Sequence, residues 1–145
     1  MAIAQTTTTS FRVELLQAVH NFNSDTFKIA LYTGAADIGP QTTVYGTSGE
    51  ASGTGYTAGG NTLTVSTTPT YANNAYNVPT AYVSFANTSW TNASFTARGA
   101  LIYNATQGNK SVAVLDFGGD KTVSNGTFTV QFPTADANSA IVRIS

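Results

Sequence analysis

His20 is the only imidazole in this chain of 145 residues, Glu14 and Glu50 are its only glutamates, and cysteine is absent. Thiolate nucleophiles, thiolate metal sites, iron–sulfur clusters and disulfides are thereby excluded. A catalytic or metal centre that uses imidazole would have to be built on His20, and its sequence surroundings offer little. No second histidine stands at helical or strand spacing, and the position four residues on is Ser24 rather than a carboxylate. A Ser-His-Asp triad meets only in space, so spacing alone does not decide it. No Gly-x-Ser-x-Gly elbow frames a serine, because Thr54 occupies the middle of Gly53-Thr54-Gly55. His20 is expected at a helix end on the surface, where the C-terminal dipole favours its cationic form.

The carboxylates and glycines read in the same way. Glycoside hydrolysis needs two acids facing one cleft. Glu14 is expected as an exposed acid in the early turns of a helix, and Glu50 falls in a loop of glycine and threonine. Asp116 and Asp120 are close enough to join carbonyls around Ca²⁺, yet they lack the dense Asp/Asn/Gly spacing of a calcium loop and read as turn residues. Residues 53–60 are rich in glycine but lack the Gly-Lys-Ser/Thr ending of a phosphate cradle and precede a strand, so a flexible loop is expected. These readings predict no enzyme, no cofactor and no metal.

The elements that must position these residues follow from periodicity. Residues 1–10 are expected as a flexible arm, disordered or strand-like, since Thr6 to Thr9 bury little apolar surface. From Ser10 as N-cap, Phe11, Leu15, Val19 and Phe22 recur at helical spacing and predict one amphipathic helix. Phe27 to Tyr32 alternate as a strand, and a long loop is expected over residues 33–60. Residues 61–66 have the period of a half-buried strand, followed by a loop through Pro69 and Pro79. Strands are then expected over residues 81–85, 95–103, 112–117, 127–132 and 141–144, with Gly108-Asn109 in a short hairpin loop. Asp116 to Asp120 and Ser124-Asn125-Gly126 look like exits into turns. Residues 11–145 thus predict a single, mainly β domain: an antiparallel β-sandwich or small barrel with one N-terminal amphipathic helix.

The surface expected on this domain is poor in charge. Charged residues make up 9% of the chain and the formal net charge is −1, against an average charged fraction of about 25%. No run of Lys or Arg could recruit phosphate backbones or anionic lipid, which predicts no nucleic-acid partner and no membrane partner. Met1 to Gln5 lack the basic and apolar regions of a secretory leader. Weak like-charge repulsion favours self-association, and a homo-oligomer is expected. The interface candidates are the uncharged arm, namely Ala2, Ile3, Ala4, Gln5, Thr6, Thr7, Thr8 and Thr9, which could add a strand to a neighbour, together with Tyr56. Tyr71, Tyr76, Tyr82 and Trp90 could form a stacking platform for sugar rings, although Tyr82 and Trp90 also fit cross-strand core packing.

Several segments carry a resemblance. They are Phe27-Lys28-Ile29-Ala30-Leu31-Tyr32-Thr33, residues 49–60, residues 90–103 from Trp90 to Tyr103, Val112-Ala113-Val114-Leu115-Asp116-Phe117, and Phe132-Pro133-Thr134-Ala135-Asp136. In this order they resemble a family of tailed-bacteriophage virion structural proteins. The resemblance implies localisation in the virion, the major capsid protein or other virion proteins as partners, and no catalytic residue. Within the particle, capsid decoration is the first expectation, a cement protein, a trimer being favoured, that clamps capsid subunits of the expanded shell. A neck, tail or fibre component is the alternative, and a carbohydrate-recognition module is a further one.

Overall fold

The computed structural model describes residues 2–145. The chain folds as two antiparallel sheets with one short helix: β1 (Thr6–Thr7), α1 (Thr9–Leu16), β2 (Phe27–Tyr32), β3 (Asn61–Thr62), β4 (Val65–Asn73), β5 (Pro79–Phe85), β6 (Thr88–Asn104), β7 (Lys110–Val130) and β8 (Val142–Ile144). The larger sheet has the order β1-β7-β6-β2-β3 and the smaller β4-β5-β8. This is a sandwich, mainly β as its sequence pattern requires, and not a closed barrel.

Both faces of the larger sheet are buried, which explains why β2 reads as a nearly unbroken apolar run rather than a strict alternation. Its inner face brings Ile29, Leu31, Ala100, Ile102 and Leu115 against Val83, Phe85 and Val142 of the smaller sheet and against Phe11 and Phe22. Phe22 stacks on Phe27 with ring centroids 4.4 Å apart. The outer face brings Ala30, Tyr32, Leu101, Tyr103 and Val114 into a second cluster, covered by Ile3, Ala36, Ile38 and Tyr45. The N-terminal residues and the 33–60 segment therefore form a layer over the sheet.

Several local expectations are corrected. The helix is shorter than the pattern suggested and is capped by Thr8 rather than Ser10: Thr8 has extended φ/ψ, and its Oγ1 accepts the Phe11 N–H at 3.4 Å. It stops because Ala18 turns left-handed at φ 59°, with Val19 N–H donating to Glu14 O and Ala18 N–H to Leu15 O. This is a Schellman ending, unusual in placing alanine where glycine is preferred, and no glycine signals it in the sequence. The expected loop through Pro69 is strand β4 instead. Proline is tolerated there because β4 is an edge strand and its pairing with β5 shifts register between Thr67 and Thr70.

The expected turns near Asp116–Asp120 and Ser124–Gly126 are bulges inside one long strand. The β6–β7 ladder passes from Gly99↔Asp116 to Ala97↔Lys121, and from Phe95↔Val123 to Ala93↔Gly126. The hairpin loop between β6 and β7 is where it was expected, with Gly108 and Asn109 both at positive φ.

Candidate interaction site

The expected interface residues divide into groups with different surroundings. The arm lies along its own domain. Ala4 N–H donates to Ile38 O at 2.9 Å and Ile38 N–H to Ala2 O at 3.1 Å, so Ile3 pairs with Ile38. The Ile3 side chain lies over Gly99, where an added Cβ would come within 2.8 Å of it and 2.5 Å of the Leu115 carbonyl. Gln5 Oε1 accepts the Asp116 N–H at 3.1 Å. Thr6 and Thr7 pair with Val114 and Ala113 of β7, so the strand addition expected of the arm occurs here within one chain. Thr8 is fully buried, with its N–H on Val112 O and its hydroxyl 2.9 Å from Ser111 Oγ. Thr9 is exposed at its side chain, while its N–H donates to Pro40 O.

Tyr56 is half-buried and engaged within its own chain. Its hydroxyl accepts the Leu31 N–H at 2.9 Å and donates to Glu50 Oε1 at 2.7 Å, while its ring packs against Trp90 and Phe95. Leu31 O is taken by Ala51 N–H, so the tyrosine hydroxyl occupies a place where a strand neighbour would otherwise be needed. Glu50 is the hub of this layer. Its carboxylate also accepts Tyr45 OH at 2.8 Å and Gly59 N–H at 2.7 Å. Tyr32 and Tyr103 donate to Gly46 O and Gly59 O. Burial first, and then the Glu50 charge, push the Tyr32 and Tyr103 phenols above their ordinary value. For Tyr45 and Tyr56, burial is followed by the hydrogen bond to Glu50 and acts in the same direction. Glu50, the loop glutamate of the sequence reading, is thus a hydrogen-bonded anchor.

The glycines of residues 53–60 serve that anchoring rather than flexibility. A Cβ on Gly60 would fall 1.8 Å from Ile29 O, and one on Gly53 2.2 Å from Ser94 O. They allow the layer to approach the sheet backbone closely.

His20 is corrected from a surface histidine to a buried one, its side chain 0% exposed. Nε2 lies 2.9 Å from Glu14 Oε1, Nδ1 lies 3.0 Å from Asn104 Nδ2, and the Phe11 ring covers it at 5.0 Å. Glu14 is not the exposed early-turn acid expected; it sits near the helix end and is 14% exposed, with Lys110 Nζ 3.8 Å from its other oxygen. Asp25 joins through Asn104 Nδ2 at 2.8 Å. Burial would raise the Asp25 carboxyl, but hydrogen bonds from Asn104, Asn21 N–H and Gln107 outweigh it and hold the group below its ordinary value. Asp116 caps the Gly118 N–H and Asp120 faces Arg98 at 3.9 Å. Among the described residues no three acids or imidazoles are grouped to hold a metal ion.

What the sequence reading missed is the exposed apolar rim. Leu16 is 91% exposed and Ile144 about half, at the edge where α1 meets β8, and Val13 of α1 is also about half exposed. Leu16, Leu15, Phe11, Val142 and Ile144 line one cleft of about 470 Å³ there. Tyr71 and Tyr76, 77% and 88% exposed, project from the β4–β5 hairpin beside Val78. Tyr82 is half-buried and Trp90 is core, so the four aromatics do not form one platform. Leu15-Leu16 was the available signal, since two adjacent leucines cannot both face the core from one helix. Comparison with protein-family models, curated proteins and solved structures finds no match to this chain.

Proposed function

We propose that this protein is a structural component of a tailed-bacteriophage particle, a capsid decoration protein that bridges capsid subunits of the expanded shell. The sequence resemblance supports the class. The observation that carries the mode of action is the apolar edge of the α1–β8 cleft, where Leu16 and Ile144 are 91% and 54% exposed, together with Tyr71 and Tyr76 exposed on the β4–β5 hairpin, on a chain whose charged fraction is 9%. A contiguous exposed apolar patch is informative where single exposed apolar side chains are not. A cement protein needs many modest contacts that favour one shell state, and the stabilisation then equals the difference in affinity between states.

The test is co-sedimentation with expanded and unexpanded shells of a phage encoding this chain, with copies counted by gel densitometry. Binding to expanded shells at a fixed ratio to capsid subunits is expected. A handful of copies per particle would point to the neck, tail or fibre instead, and no copies would refute the proposal. A second reading, carbohydrate recognition, is favoured by the exposure of Tyr71 and Tyr76 on one hairpin. Glycan-array binding lost on changing either to Ala would support it.

A further inference from the structure

The His20 junction has a hydrogen-bond direction that can be read without seeing a proton. Asn104 Oδ1 accepts two backbone donors, Thr106 N–H at 3.1 Å and Gln107 N–H at 3.2 Å, so its other terminus must be the amide NH₂. That NH₂ has two protons. One goes to Asp25 Oδ2 at 2.8 Å and the other points at His20 Nδ1 at 3.0 Å. Nδ1 must therefore be the acceptor, and the ring proton must sit on Nε2, where Glu14 Oε1 receives it at 2.9 Å.

From this geometry we propose that His20 and Asn104 form an acid-sensitive latch: His20 is locked as the neutral Nε2–H tautomer, and a second proton, on Nδ1, forces it and the Asn104 amide apart. Two donors would then face each other. Asn104 cannot answer by flipping, because the flip would turn its NH₂ onto the Thr106 and Gln107 N–H groups. The charged groups around the ring are Glu14 from α1, Asp25 from the 21–25 turn, and Lys110 from β7, which shares Glu14. The latch binds three pieces of chain. Glu14 stands at the helix end, Asp25 closes the 21–25 turn on Asn21 N–H, and Asn104 caps the β6–β7 turn, which is also tied to Thr26 through Thr106 Oγ1 and Ala105 N–H. Release of Asn104 loosens all three together. The inference does not depend on where the protein acts.

Because the chain has one histidine, its ring signals in a long-range ¹H–¹⁵N spectrum need no assignment. At about pH 8 the Nε2–H pattern is expected. On acidification, the Thr106 and Gln107 amides should shift with the same midpoint as the ring, and their protection against hydrogen exchange should fall about tenfold. His20→Gln should abolish that coupled change. An Nδ1–H tautomer or an imidazolium at about pH 8 would overturn the proposal. So would Thr106 and Gln107 signals that stay still while the ring titrates, or the same change persisting in H20Q. If H20Q does not fold, the unmodified protein alone decides.

Discussion

Thr7 and Leu16 border the same cleft, yet the regions they belong to behave in opposite ways. The arm and its covering layer spend their polar groups inside the chain: Ala2, Ala4, Gln5, Thr6, Thr7 and Thr8 are all paired with Ile38, Asp116 or β7. The rim of α1 and β8 does the reverse, presenting Leu16 and Ile144 to solvent. An uncharged, threonine-rich arm can satisfy its backbone on the nearest free strand edge, and here that edge is β7 of the same chain. Large apolar side chains at the end of a short helix have no such recourse. The comparison moves the proposed contact surface from the arm to the rim.

Substitutions can break or sharpen this contrast. The largest expected effect is in the layer: Gly60→Ala combines a left-handed φ of 73° with a Cβ 1.8 Å from Ile29 O. It should cost about 3–5 kcal/mol, adding backbone strain to overpacking, as read from urea unfolding. Next, Tyr56→Phe leaves the buried Leu31 N–H and one Glu50 oxygen short of a partner, and should cost about 1–3 kcal/mol in the same assay. Thr8→Ala removes the helix cap and the Ser111 contact and should cost about 1–2 kcal/mol. A loss too small to measure would mean that the arm is not part of the fold.

Alkaline pH probes the layer as a whole. The folded-state values of Tyr32, Tyr45, Tyr56 and Tyr103 are raised. Their contribution is therefore complete below the ordinary phenol value of about 10 and is lost as pH rises beyond it, because the unfolded chain releases those protons first. Unfolding midpoints should fall above about pH 10, and phenolate absorbance from these four should appear only with unfolding. All the phenols ionising in one step in the folded protein would contradict the layer's description. The smallest effect on stability is expected at the rim. Leu16→Asp and Tyr76→Asp should each change stability by no more than about 0.5 kcal/mol while sharply reducing co-sedimentation with expanded shells. Unchanged binding would return the contact surface to the arm.

The parts of this fold that were legible in the sequence are those fixed by local rules. β2 is bounded by its apolar run, and the hairpin at Gly108-Asn109 by the need for positive φ. The two long strands were broken into pieces because Gly118-Gly119 and Asn125-Gly126 have the composition of turns, while the pairing that makes them bulges is set by β6, far away in sequence. The helix end was missed because an alanine took the left-handed position. His20 lay beyond reach for a similar reason. Its partners Glu14 and Asn104 are 6 and 84 residues away, and no periodic pattern relates the three. Glu50 was noticed but not its role, since the tyrosines that donate to it, Tyr45 and Tyr56, lie in separate turns of the covering layer and no periodic pattern relates them to it.

Cryo-electron microscopy of intact particles of a phage encoding this chain would decide the proposed decoration role. Density for the sandwich is expected at every equivalent position on the expanded shell, with Leu16, Ile144 and the Tyr71–Tyr76 hairpin against capsid subunits and the arm folded on its own β7. A shell that carries no such density would contradict it.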